Sequence, residues 1–315
     1  MAANRIELWQ LRQRQGHPLE IKMRLSEERI KAWYEHHQGN VYVAFSGGKD
    51  STVLLHLVRS LYPDVPAVFS DTGLEYPEIR EFVKTVENVV WLKPKQSFKT
   101  VIKEYGYPVI SKKQAQYIKE VQRTKSGALR RLRLTGIKPD GRVSNMSKIS
   151  SKWIPLCFAP FKVSDECCHK MKRQPMMDYY KETGRVPYIG TMADEGGNRE
   201  KDYLRYGCNA YDMSSQPRST PLAFWTEPDV WEYLLRFNVA YSPIYDMGYK
   251  RTGCMFCMFG VQLEPYPNRF QRMKQTHPKQ WDYCVHKLGL GEVLDYIGVE
   301  YEEPRQTRML AAGGE

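Results

Sequence analysis

Residues 41–51 read Val41-Tyr42-Val43-Ala44-Phe45-Ser46-Gly47-Gly48-Lys49-Asp50-Ser51. An apolar run passes through two glycines into a stretch with helical spacing, where Val53, Leu54, Leu57, Val58 and Leu61 share one stripe. Paired glycines let the backbone turn tightly and bring successive N–H groups together. The following helix adds the positive end of its dipole. Lys49 supplies a cation, and Ser46 and Ser51 supply hydroxyls. The segment is predicted to be a strand, a phosphate-holding loop and a helix.

Outward from this loop the pattern alternates. Val65–Ser70 and Val89–Leu92 read as strands, Pro77–Val86 as a helix, and Val186–Thr191 as a later strand. A right-handed crossover makes the first two strands parallel. The expected fold class is α/β, a doubly wound and mostly parallel sheet with its site at the strand carboxyl ends. Residues 1–38 are predicted to be a helical N-terminal segment, which caps the sheet or mediates a homo-oligomer. The nucleotide domain is placed at 39–224 and an aromatic-rich C-terminal lobe at 225–315, with a helix over Asp229–Phe237. Between Gly106 and Trp153 the rhythm breaks. Ala115–Arg123 reads as helix, and the part with Gly127, Gly136, Pro139, Gly141 and the serines from Ser144 to Ser151 reads as a loop.

No apolar run reaches the length of a membrane span. The start of the chain, with Arg5, Glu7, Arg12 and Arg14, lacks the apolar core of a signal peptide. A cytoplasmic protein without membrane contact is expected, and its seven cysteines are then thiols or metal ligands rather than disulfides. Net charge is +11, and residues 112–152 hold twelve Lys or Arg against Glu120 and Asp140 alone, a local +10. Such a basic insertion points to a polyanion, with Tyr117 and Trp153 as interleaved aromatics.

Cys167-Cys168 and Cys254-x-x-Cys257 form the second signal. Adjacent cysteines suit one tetrahedral zinc poorly, because their side chains diverge. A cubane cluster spreads its ligands over several irons and accepts neighbours. A zinc site and four buried thiols stay open as alternatives. Cys157, Cys208 and Cys284 read as small buried residues, with Cys157 also an alternate ligand or persulfide carrier and Cys208 also a residue facing the nucleotide.

Ser46-Gly47-Gly48-Lys49-Asp50-Ser51 resembles the PP-loop of the ATP-pyrophosphatase (adenine nucleotide alpha-hydrolase-like) superfamily. It is neither a Walker A loop nor a three-glycine dinucleotide loop. Asp71-Thr72-Gly73, the Gly190–Arg199 segment and the cysteine spacing are similar to the phosphoadenosine phosphosulfate (PAPS) reductase-like family over about residues 41–260. That resemblance implies ATP held by Ser46, Gly47, Gly48, Lys49, Asp50 and Ser51, with Asp71, Thr72, Gly73, Glu195 and Arg199 around the nucleotide. It implies Mg²⁺, with Lys49, Asp50 and Arg199 in catalytic roles. It implies a [4Fe-4S] cluster on Cys167, Cys168, Cys254 and Cys257, which makes the C-terminal lobe an iron–sulfur lobe.

The sulfonucleotide reductases of that family use a cysteine in a C-terminal Glu-Cys-Gly-x-His segment and tend to have a degenerate phosphate loop. This sequence has no cysteine after Cys284, where Tyr283-Cys284-Val285-His286 keeps only the Cys and His, and it closes on Met309–Glu315. Its loop is intact. In logic it is most similar to the DndC- and SspD-type proteins of DNA phosphorothioation, and it shares features with some tRNA thiolases. The expected function is ATP-dependent sulfur transfer to DNA or tRNA bound by residues 112–152, with a sulfur donor such as a cysteine desulfurase. The alternatives are a phosphoadenosine phosphosulfate or adenylylsulfate reductase, and a nucleotide-binding scaffold or sensor without turnover.

Overall fold

The structure is a computed structural model that describes residues 6–211 and 216–302. The closing segment Met309–Glu315 lies outside the described residues. The chain forms two compact units, each built from separate stretches. The first takes the chain up to Asp71, then Glu75–Lys93 and Pro175–Thr252; the second takes Thr72–Leu74, Pro94–Gln174 and the chain from Gly253 onward.

The first unit contains a six-stranded sheet. Its strands are β1 (Val41–Ala44), β2 (Ala67–Ser70), β3 (Val89–Leu92), β4 (Val186–Ile189), β5 (Asn209–Ala210) and β6 (Arg218–Ser219), in the order β3-β2-β1-β4-β6-β5. Every neighbouring pair is parallel except β6 with β5. Val43 lies opposite Ala67 on one side and Tyr188 on the other. A central parallel strand is covered on both faces, which explains why β1 reads as an unbroken apolar run. The strand order reverses between β1 and β4, and such switch points are where doubly wound sheets bind ligands.

The helices of this unit are α1 (Leu8–Gln15), α2 (Leu19–His36), α3 (Lys49–Leu61), α4 (Pro77–Lys84), α5 (Gln174–Thr183), α6 (Asn198–Tyr206) and α7 (Glu227–Arg236). On one side of the sheet, Tyr42, Val68 and Tyr179 pack with Ala44, Val90, Leu92 and Met176. The amphipathic stripe of α3 buries Val53, Leu54, Leu57 and Val58, as its spacing predicts.

Besides residues 94–174, expected within a nucleotide domain at 39–224 and found in the second unit, two sequence-based readings differ from the structure. Residues 225–252, expected in a C-terminal lobe, belong to the first unit. The reason lies in α7, which buries Val230, Tyr233 and Leu234. Asp229 of α7 also accepts a hydrogen bond from the buried Lys22 ammonium of α2 at 2.6 Å. The second difference is Gly127–Thr135, expected as loop and found as helix. Ser126 caps it by accepting from the Leu129 N–H at 3.3 Å, and Gly136 ends it in the left-handed region at φ +83°. Only the turn residues around it carry loop chemistry.

The second unit pairs Val109–Ile110 with Met258–Phe259 in parallel. The basic insertion folds here as two helices, Lys112–Arg123 and Gly127–Thr135. Arg133 joins them by stacking over Tyr117, 3.7 Å from the ring centroid, and by donating to Glu120 Oε2 at 2.5 Å. Among the described residues no helix is long and apolar enough to cross a membrane.

Candidate nucleotide site and thiol group

The loop Ser46–Ser51 joins β1 to α3, so its N–H groups gather at the carboxyl end of β1 and the amino end of α3. Gly47 sits at φ +71°, and a Cβ there would stand 2.8 Å from Val83 Cγ2 and 2.9 Å from Ile79 Cγ2. Only glycine meets both demands. Internal hydrogen bonds fix the loop. The Ser46 N–H donates to Ser51 Oγ at 3.2 Å, Ser51 Oγ donates to the Gly48 carbonyl at 2.8 Å, and Thr52 Oγ1 donates to the same carbonyl at 3.0 Å. Gly190, just past β4, lets the first turn of α3 come close: a Cβ there would lie 3.0 Å from the Asp50 carbonyl oxygen.

Lys49 is buried, with its ammonium 3.4 Å from Asp50 Oδ1 and 3.3 Å from Glu227 Oε1. Burial by itself would depress its pKa; Asp50, Tyr245 and Glu227 together outweigh that and hold it above the ordinary lysine value. Asp50 is pushed up by burial, which exceeds the opposing pull of Lys49. Its Oδ1 lies within ion-pair range of Lys49 yet lacks hydrogen-bond geometry to any donor. A carboxylate beside a phosphate loop has the chemistry to hold a divalent cation.

Arg199, on α6, forms an ion pair with Glu195. Its guanidinium is lowered by burial first and by Arg251 second, while Asp50 acts in the opposite sense. Arg199 therefore lies within electrostatic reach of Asp50 in the same unit. Asp71 directly follows β2 and accepts from Arg80 at 2.9 Å. Thr72 and Gly73 belong to the second unit, where Thr72 Oγ1 accepts from the Leu74 N–H at 3.1 Å.

The four cysteines all lie in the second unit and none is in a disulfide. Cys167 and Cys168 occupy the helical turn Glu166–Cys168, and the Cys257 N–H donates to the Cys254 carbonyl at 3.2 Å. The Cys167 thiol is pushed up by burial, then by Cys254, Cys168 and Cys257, with Lys172 opposing. The Cys257 thiol is raised by burial, while Arg269 and a backbone N–H favour its thiolate. The four sulfurs thus feel one another, and cations stand by to offset their charge. Among the described residues, however, no three His, Cys, Asp or Glu side chains converge on a single ion position.

A family model described as the phosphoadenosine phosphosulfate reductase domain matches residues 40–138 and 103–259. The chain belongs to this family. It is 27% identical over 283 residues to an uncharacterized protein of Methanocaldococcus jannaschii, covering 87% of this chain and 53% of that protein. It is 25% identical over 256 residues to an adenosine 5'-phosphosulfate reductase of Anoxybacillus flavithermus, covering 80% of this chain and 86% of that one. The chain spans about half the length of that Methanocaldococcus jannaschii protein, 53%, and 42% of a second uncharacterized protein of the same organism, to which it is 27% identical over 261 residues. A solved phosphoadenylyl-sulfate reductase of Candida auris aligns over 73% of this chain and 87% of that chain, with a TM-score of 0.44 and 19% identity.

Within this member of the PAPS reductase family, three residues absent from the sequence-based set face the loop: Tyr245, Thr252 and Glu227. The Lys49 N–H donates to Tyr245 Oη at 2.8 Å, which in turn shares a hydrogen bond of 3.2 Å with Thr252 Oγ1. Their long separation from the loop hides them, since nothing local sets Tyr245 apart from the other aromatics of 225–252. Cys157, Cys208 and Cys284 are buried, as their composition suggests. Burial raises Cys157 to about 11, Cys208 to about 12, and Cys284 above the ordinary thiol range.

Proposed function

We propose that the chain is an ATP pyrophosphatase that activates an oxygen of a nucleic acid for replacement by sulfur. The observation that carries this reading is the complete phosphate seat, with a glycine-only turn at Gly47 and a buried Lys49 kept charged between Asp50 and Glu227. A substrate without a pyrophosphate has no use for such a seat.

In this mechanism the loop N–H groups and Lys49 hold the β and γ phosphates. Arg199 offers its guanidinium to the α phosphate. An acceptor oxygen attacks the α phosphorus, the bond to the α–β bridging oxygen breaks, and pyrophosphate leaves with the electron pair. Lys49 and Arg199 offset the charge that develops. Hydrosulfide, released by a thiol reductant from the persulfide of a donor such as a cysteine desulfurase, then displaces AMP from the adenylated acceptor and leaves sulfur in place of oxygen. Asp50 would hold Mg²⁺, which when bound neutralises charge on the phosphates. Cys167, Cys168, Cys254 and Cys257 would hold a [4Fe-4S] cluster, which when bound supplies an iron centre for sulfur or electrons. The basic helices of residues 112–152 would bind the DNA or tRNA backbone.

Protein incubated with ATP, a sulfide donor and DNA or tRNA is expected to release pyrophosphate and form AMP. No release with either nucleic acid sinks the reading. Anaerobically prepared protein is expected to be brown and to hold about four irons per chain; colourless protein with one zinc would exclude the cluster.

The second reading is reduction of adenosine 5'-phosphosulfate, favoured by relatives of that name at 22–25% identity. It requires a thiol nucleophile and yields sulfite and AMP. Sulfite release that disappears on substitution of Cys157, Cys208 or Cys284, without pyrophosphate release from ATP, would select it.

A further inference from the structure

Two hydroxyls from distant sequence lie on the phosphate loop. The Lys49 N–H donates to Tyr245 Oη at 2.8 Å, and Tyr245 Oη pairs with Thr252 Oγ1 at 3.2 Å. A Cβ on Gly48 would stand 2.8 Å from Thr252 Oγ1 and 3.3 Å from both Tyr245 Oη and Ser46 Oγ. Three hydroxyl oxygens therefore ring the second glycine of the loop. The phenol is held in place by its own packing: its ring meets Trp231 edge-on with centroids 5.5 Å apart, and Tyr241 lies 6.3 Å away. The Lys49 ammonium stands 5.7 Å from the same ring. Burial raises the phenol above the ordinary tyrosine value, so it remains neutral.

The Lys49 N–H is among the first of α3, where backbone donors have no partner inside the helix. These are the donors that hold a phosphate oxygen at a helix amino end. A neutral phenol is a weaker acceptor than a phosphate oxyanion, because charged hydrogen bonds are roughly twice as strong. We infer that Tyr245 caps the Lys49 N–H and is displaced by an incoming pyrophosphate group, so that it tunes the affinity of the seat for β and γ phosphates without touching the binding of a single phosphate. A nucleotide with β and γ phosphates gains the uncovered N–H. One with a single phosphate leaves the cap in place and gains nothing from its removal. This inference rests on the reading of the loop as a pyrophosphate seat.

Tyr245→Phe keeps the ring and deletes the hydroxyl. In the ligand-free protein, hydrogen exchange at the Lys49 amide is expected to be faster in Tyr245→Phe than in the parent chain. Equal exchange overturns the cap. In calorimetric titrations, Tyr245→Phe is expected to bind ATP and inorganic pyrophosphate about two- to tenfold more tightly, the range for one hydrogen bond, and AMP with unchanged affinity. Thr252→Val, which removes the partner of Tyr245, is expected to give a smaller gain of the same sign. If the parent chain binds pyrophosphate and Tyr245→Phe binds it equally or less well, displacement is wrong and the seat stands. An equal gain for AMP refutes the selectivity. If neither protein binds ATP or pyrophosphate, the seat itself is refuted, and the cap's effect on its affinity with it.

Discussion

Gly47 carries two constraints in one residue, a positive φ and methyl groups of Val83 and Ile79 where a Cβ would go. Gly47→Ala is expected to destabilise the protein by about 2 kcal/mol or more, from left-handed backbone strain plus overpacking. It should also weaken nucleotide binding by shifting the loop N–H groups; chemical denaturation and titration with ATP check the two effects. His37 gives a pH dependence. Its Nε2 is buried without a hydrogen-bond partner, and its ring packs 4.3 Å from Trp33. Burial first, and the neighbouring His36 second, lower its pKa below the ordinary histidine value. The unfolded chain then takes up a proton near pH 6.5 that the folded chain does not. Its share of the stability is present above that pH and is lost as pH falls further. His37→Phe is expected to flatten the decline in unfolding midpoint between pH 7 and 5. At this scale the sequence was legible where chemistry is local. Ser46 to Ser51 could be read directly, whereas Tyr245 reaches Lys49 only through a fold that brings together residues nearly two hundred positions apart.

Between α2 and α7, Asp229 Oδ2 accepts from Lys22 Nζ at 2.6 Å, from the Thr226 N–H at 2.7 Å and from Thr226 Oγ1 at 2.8 Å. The same carboxylate caps α7 and neutralises a buried ammonium. Lys22→Met strips the cation and leaves a buried carboxylate with its cap bonds alone, which is expected to cost about 3 kcal/mol or more. The exposed pair of Arg236 with Glu20, between the same two helices, is the control. Arg236→Ala is expected to leave the denaturation midpoint in place, because solvent screens exposed pairs. The bond between α2 and α7 also explains the misplaced boundary. Composition separates residues 225–252 from the sheet, but it does not reveal that Asp229 answers Lys22, more than two hundred residues earlier. Gly127–Thr135 was hidden differently. Its glycines stand at the two ends of the helix, where they cost little, and the sequence between them, Ala128-Leu129-Arg130-Arg131-Leu132-Arg133-Leu134, has strong helical propensity.

For the whole molecule, charge is the property most unevenly distributed along the chain, and the fold alters its meaning. The sequence offers twelve cations between residues 112 and 152. Lys119 forms ion pairs with Asp165 and Glu166 inside the second unit, Arg133 with Glu120, and Arg142 with Asp140. Lys112, Lys113, Lys125, Arg130, Arg131 and Lys152 remain exposed. Lys112, Lys113, Arg130 and Arg131 are presented by helices, so their spacing is fixed, whereas Lys125 lies in the connection between the two helices and Lys152 in a 3-10 turn. Each exposed cation that meets a phosphate releases a counterion, and log K should fall linearly with log salt at close to one unit of slope per contact on duplex DNA. Arg130→Ser with Arg131→Ser is expected to weaken binding to every DNA or tRNA sequence alike and to lower the slope by about two. Lys119→Ser, which removes a structural cation, should lower stability and leave the slope unchanged in the protein that stays folded. Binding independent of salt, or a slope unmoved by loss of both arginines, would mean that the basic helices do not face a nucleic acid. The acceptor oxygen would then have to be sought on a small molecule, with the phosphate seat of the first unit unaffected.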